Sequence, residues 1–214
     1  MLKYTRQVRA LLSPAQRRVF EKLRTPEQIQ DFLDSLSINF ERRGEEGIFS
    51  PCEVLKRRRA QCFEGALFAS ASLAYHGQEP LLMDIQTTAK DLDHVVALFK
   101  RGGYWGAISK TNHPVLRWRD PVYTSPRELA MSYFHEYFLS NGKKTMRAYS
   151  RPFDLRRYQP ERWLTTGEEL GWLADALDGS RHFPIASPKA LVRLRRASPL
   201  ERTAMEMVEW KKCR

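Results

Sequence analysis

Cysteine is scarce in this 214-residue chain: three residues, at 52, 62 and 213, an odd number and widely spaced, which excludes a disulfide framework. A reducing, cytoplasmic setting is therefore expected. No apolar run is long enough to span a bilayer, so no membrane partner is expected. The opening stretch MLKYTRQVRALLSPAQRR is basic but lacks an apolar core and a small-residue cleavage site, so no secretory signal is expected either. Internal repeats and low-complexity segments are also missing. Acidic residues are outnumbered, 25 against 36 Lys and Arg, giving a net charge of +11. The densest basic runs, KRRR (56–59), LVRLRR (191–196) and KKCR (211–214), are spread along the chain. None is interleaved with aromatics in a nucleic-acid motif. The charge is read first as solvated surface, with nucleic acid an option that no motif supports. Nothing in the sequence marks the oligomeric state.

What is present is a chain that can build a core: 42% of the residues are hydrophobic, including five Trp, eight Tyr and eleven Phe. Three helix starts are written in the same way, Ser13–Pro14, Thr25–Pro26 and Ser50–Pro51, each a capping side chain followed by proline at the first helical position. Ser50 with Glu53 fits a capping box. A helix rich in small residues is expected from Gln61 to His76, stopped by Gly77. Its small side chains imply close packing on several sides, hence a central place. The pattern then changes to strands at 80–86, 93–100 and 104–109, the last two joined by the tight turn RGG as a hairpin. Further helices are expected at 125–139, 165–179 and 198–212, the first opened by a capping box of Ser125 and Glu128. The fold class is α+β in a single domain: an N-terminal helical segment (1–49), a core (50–140) and a C-terminal extension (141–214).

The chemistry gathers at Cys62 and His94. Cys62 opens the small-residue helix, where unpaired N–H groups and the dipole favour a thiolate. His94 opens a strand that can pack against that helix and act as a base. The segments QCFEGALFASASLAYHG and DLDHVVALFKRGGYWGAIS resemble the transglutaminase-like core, a branch of the papain-like cysteine enzymes, over roughly residues 50 to 115. The resemblance implies a central helix packed on an antiparallel sheet, with N- and C-terminal helical extensions. It implies Cys62 as nucleophile, His94 as general base, and an Asp on the adjoining strand to orient the base. This sequence departs there. After YWGAI stands Ser109, then Lys110, Thr111 and Asn112. Ser109 is favoured by strand register, since it shares a face with Trp105. Asn112 is favoured by chemistry, since an amide oxygen is the better acceptor. Gln61, Trp105 and Arg117 are expected around the substrate, Trp105 as a cover and Arg117 with Arg119 on one strand face beside Trp118. The alternative for Arg117 and Arg119 is ion pairing with Glu128 or Asp120.

Asp91 and Asp93 flank His94 as solvated loop residues able to reach its ring. Cys52 reads as structural and Cys213 as free. His94 and His113 with an Asp match no zinc spacing, and the reading calls for no metal and no cofactor. Two functions follow. One is an enzyme attacking a peptide or other amide through a thioester, by hydrolysis or acyl transfer. The other is an inactive scaffold of the same fold, binding an acidic protein or nucleic acid.

Overall fold

The computed structural model describes residues 1–40 and 47–211. Helix α1 (Leu2–Leu11) is followed by α2 (Pro14–Phe20) and α3 (Pro26–Asp34). In α2 and α3 the Ser13 and Thr25 hydroxyls accept from the third N–H, the Gln at that position returns the bond, and proline fills the first helical position. A short parallel pair joins β1 (Ser37–Ile38) to β2 (Arg59–Ala60), with α4 (Pro51–Arg57) between them in sequence. Ser50 caps α4, but the expected capping box is half made. The Glu53 carboxylate turns instead to Lys56 and Arg57, the cations one helical turn on.

Helix α5 (Cys62–Tyr75) is the axis of the molecule. Every residue from Phe63 to Tyr75 is buried, so it is enclosed all round rather than amphipathic. Gly77 at φ 84° stops it, and the Gln78 N–H closes back on the Leu73 carbonyl at 2.9 Å. The chain then becomes strand. β3 (Leu81–Gln86), β4 (His94–Arg101) and β5 (Tyr104–Ile108) form a consecutive antiparallel ladder, with Met83 opposite Val96 and Leu98 opposite Ala107. β6 (Arg119–Tyr123) extends one edge. Helix α6 (Pro126–Met131) follows, then β7 (Ala148–Ser150), β8 (Phe153–Asp154), α7 (Glu161–Leu164), α8 (Gly171–Asp178) and β9 (His182–Pro184). The order is β6-β5-β4-β3-β7-β9, with β8 also on β3, and the pairings within this sheet are antiparallel. Short α9 (Pro188–Val192) and α10 (Pro199–Met205) complete the described chain.

The sheet separates two cores. Leu82, Val95, Ala97, Phe99 and Ile108 meet α5 and the N-terminal helices on one face. Met83, Ile85, Val96, Leu98 and Ala107 meet Leu129, Ala130 and Tyr133 on the other. The α+β class and the antiparallel sheet under the central helix are as the sequence patterning indicates. Among the described residues no helix is long and apolar enough to cross a membrane.

Three expected helices are shorter than their patterns. The 125–139 helix stops at Met131 and resumes as a 3-10 turn at Phe134–Glu136. Arg119 donates to both Ser132 Oγ and the Ser132 carbonyl, the acceptor a continuing helix would use. Its capping box is also displaced, because Glu128 bonds the Thr124 N–H and hydroxyl. The 165–179 helix begins only at Gly171, since Glu169 and Leu170 bond the backbone of Ile48. The 198–212 helix ends at Met205, beyond which the chain turns back to Asn112.

Candidate functional site

The N-terminus of α5, the start of β4 and the loop after β5 meet around a cleft of about 680 Å³, and Cys62, His94, Gln61 and Asn112 all line it. Cys62 is held from two sides. The backbone N–H groups of Val95 and Phe63, the latter in the first helical turn, both favour its thiolate. The β4–β5 pairing ends at Ala97–Ile108, two residues past Val95, whose N–H favours the thiolate. The helix start is itself pinned by the buried Glu64. Its carboxylate accepts from the Gln61 N–H at 2.7 Å, the Phe49 N–H at 3.1 Å and the Asn39 amide at 3.1 Å.

His94 is 4% exposed and lies opposite Ile85, on the sheet face away from α5. Tyr133 packs edge-on against its ring, with centroids 6.1 Å apart. Its Nε2 lies 2.8 Å from Ser109 Oγ and 3.3 Å from the Leu116 carbonyl. A carbonyl only accepts, so Nε2 carries the proton and Nδ1 is the basic nitrogen left for the cleft. Ser109, the register candidate, is thus the side chain on the imidazole. Asn112 is not: its amide is engaged by the backbone of Trp210, accepting at 2.8 Å and donating at 2.9 Å. Neither flanking carboxylate reaches the ring. Asp93 bonds the Thr87 N–H and hydroxyl, and Asp91 bonds the Thr145 hydroxyl.

Trp105 and Arg117 are placed elsewhere. Trp105 shares a face with Ser109, but four residues of strand put it about 13 Å away. It lies under Lys100 at the far end of β5, beside a separate cavity of about 170 Å³. Arg117 and Arg119 do not alternate on one strand, because β6 begins at Arg119 and Arg117 closes the 3-10 turn Pro114–Leu116. Arg117 pairs with Asp34 and Glu209 rather than with Glu128 or Asp120. Cys52 is buried, and burial pushes its thiol up to about 12, in keeping with a structural residue. Cys213 lies outside the described residues.

The electrostatics favour the uncharged forms of both the Cys62 thiol and the His94 imidazole. Burial, with Arg119 and His113 nearby, pulls the His94 imidazole down to about 4. Burial also pushes the Cys62 thiol up, with Asp84 and Glu64 adding to it, against the two N–H donors that favour the thiolate. Asp84 carried no signal in the sequence. It sits on β3 directly opposite Val95, 1% exposed, with one carboxylate oxygen 3.0 Å from His182 Nε2 and the other without a hydrogen-bond partner among the described residues. Burial pushes its carboxyl up to about 6. His182 arrives from β9, and its Nδ1 faces the Ser180 carbonyl at 2.8 Å.

The C-terminal segment borders the same cleft through Arg202, Met205 and Glu206. It is fastened by Asn112 to Glu209 and Trp210, by Arg117 to Glu209, and by Arg202 to the Ser140 carbonyl. Lys110, fully buried, reaches the Leu36 carbonyl at 2.6 Å, and its Cβ rests on the backbone of Gly65. Among the described residues no group of three or more His, Cys, Asp or Glu side chains is disposed to hold a metal ion. No family model matches the chain, and a comparison with curated proteins finds no match.

Proposed function

We propose that the chain is a transglutaminase-like cysteine enzyme acting on an amide, with Cys62 as nucleophile, His94 as general base and Ser109 as the residue that orients the base. One observation carries the reading: Ser109 Oγ and the Leu116 carbonyl engage Nε2 of His94 and leave Nδ1 for the cleft that Cys62 lines. The thiol proton passes to Nδ1 as sulfur attacks the carbonyl carbon. The imidazolium returns that proton to the leaving nitrogen as the C–N bond breaks, leaving a thioester on Cys62. Water resolves it in a hydrolase, an amine in an acyl transferase. A nucleophilic thiol has to stay reduced, which fits a cytoplasmic setting.

With the imidazole pulled down to about 4 and the thiol pushed up, both chiefly by burial, the neutral pair is favoured over the ion pair. Proton transfer is therefore expected together with attack rather than before it. That same neutrality favours the second reading, a catalytically idle scaffold of this fold that binds an acidic protein or nucleic acid through its +11 charge. Intact-mass analysis after incubation with p-nitrophenyl acetate separates the two. The enzyme reading expects an acetyl adduct on Cys62 that forms much more slowly in His94→Ala. Equal rates in the two proteins, or no adduct on Cys62, would leave the scaffold.

A further inference from the structure

A second cavity, of about 460 Å³, shares no lining residue with the Cys62 cleft. Four cations line it, Lys143, Lys144, Arg147 and Arg196, and no carboxylate does. The rest of its wall is aliphatic, including Leu191 and the 87% exposed Val192 of α9. Among the described residues none of these four cations has a carboxylate within ion-pair distance. The partners of Arg147 and Lys144 are carbonyls, and for Lys144 also the Phe138 ring, 4.9 Å from its ammonium. The Arg147 guanidinium donates to Met146 O at 2.7 Å and Lys144 O at 3.0 Å, and the 7% exposed Lys144 donates to His135 O at 2.5 Å. Carbonyls orient a cation without neutralising it, so Arg147 and Lys144 are held in place without a carboxylate partner in contact. Glu136 and Glu201 act on Lys144 only from outside the cavity.

Cations and aliphatic carbon in one lining match an anion with an apolar body. The volume is that of a small-molecule site, much larger than a bare oxoanion needs. We propose that this cavity binds an amphiphilic oxoanion, a phosphate-type head group among the four cations with an aliphatic body against Leu191 and Val192. The ligand can be a phosphate monoester free in solution or an anionic lipid head group, since both present the same chemistry.

Calorimetric titration of the full chain with octyl phosphate, inorganic phosphate and octanol tests this. Octyl phosphate is expected to bind saturably and at least about tenfold more tightly than either fragment, because only it meets both the cations and the aliphatic carbon. Lys143 and Arg196 are exposed and, among the described residues, bond nothing through their side chains, so the double variant Lys143→Gln/Arg196→Gln should fold as wild type. It should bind octyl phosphate about tenfold more weakly, the scale of a lost charge-assisted contact. Flotation with phosphatidylcholine vesicles, with and without phosphatidylglycerol, then assigns the source. Retention on the anionic vesicles alone, lost in the double variant, marks a lipid head group. No retention beside octyl phosphate binding marks a soluble phosphate ester. Absence of saturable octyl phosphate binding, or equal binding by the double variant, would overturn the proposal.

Discussion

Gln30 makes both backbone hydrogen bonds of Ser109: its amide oxygen accepts from the Ser109 N–H at 3.0 Å, and its amide nitrogen donates to the Ser109 carbonyl at 2.9 Å. A side chain of α3 thus stands where a strand neighbour would, just past the end of β5, and sets the hydroxyl that meets His94. Gln30→Ala leaves a buried N–H and carbonyl unpaired, at about 1–3 kcal/mol for each such group. Thermal unfolding should show a clear fall in Tm. Acetylation of Cys62 should slow by more than the Ser109→Gly change alone explains only if Gln30 acts outside Ser109. Non-additive effects in the double variant are the expected result.

Ser109→Asp supplies the carboxylate that the family resemblance leads one to expect. It should raise the His94 pKa, measured by NMR titration of the ring, because a negative charge beside Nε2 favours the imidazolium. Ser109→Ala should leave the ring neutral. If Ser109→Asp moves the titration no more than Ser109→Ala does, Ser109 does not orient the imidazole.

Much of this framework was legible. Ser13, Thr25 and Ser50 start helices because capping chemistry is local, and Gly77 stops α5 for the same reason. Alternation placed Ser109 and Trp105 on one face, but not which end of the strand held the site. What escaped was non-local. Gln30 meets Ser109 across 79 residues, and Asp84 meets His182 across 98, with nothing nearby to announce either pair. The truncated helices share this origin, since Arg119, Ile48 and Asn112 each take backbone groups that local patterning had assigned to a helix.

Gly65 is required by close approach. A Cβ there would lie 2.4 Å from Lys110 Cβ, and Lys110 is buried with its ammonium on Leu36. Gly65→Ala should cost about 1–3 kcal/mol through overpacking, despite the better helix propensity of alanine. Chemical denaturation measures this, and a neutral or stabilising result would mean that the loop after β5 does not pack on α5 as described.

Thiol reactivity should follow Asp84. Its negative charge is one of the influences holding the Cys62 thiol up. In a Cys213→Ser background, iodoacetamide is expected to label Cys62 ahead of the buried Cys52, at a rate still rising above the ordinary thiol range. Asp84→Asn should speed that labelling near neutral pH, and Asp84→Glu should not. A slower reaction in Asp84→Asn would reverse the sign of the argument.

Stability against pH should expose two opposed buried groups. The His94 imidazole falls from 6.5 in the unfolded chain to about 4 in the native state. The unfolded chain therefore binds more protons between these values, and about 3 kcal/mol of stability is lost as pH falls from 6.5 to 4. The Asp84 carboxyl does the reverse, rising from 3.8 to about 6. The native state binds its proton more tightly there, so its contribution is present below pH 3.8 and lost as pH rises through 6. In the wild type the two slopes oppose each other. Removing either group should uncover the other: relative to wild type, Asp84→Asn should lose stability as pH falls from 6.5 to 4, and His94→Gln should lose it as pH rises from 4 to 6. Reading the differences removes the acid-labile carboxylates, Glu27 and Glu201, that all three proteins share. Urea denaturation midpoints across pH 4 to 7 decide the matter, and three parallel curves would mean that neither group is held in its neutral form by burial.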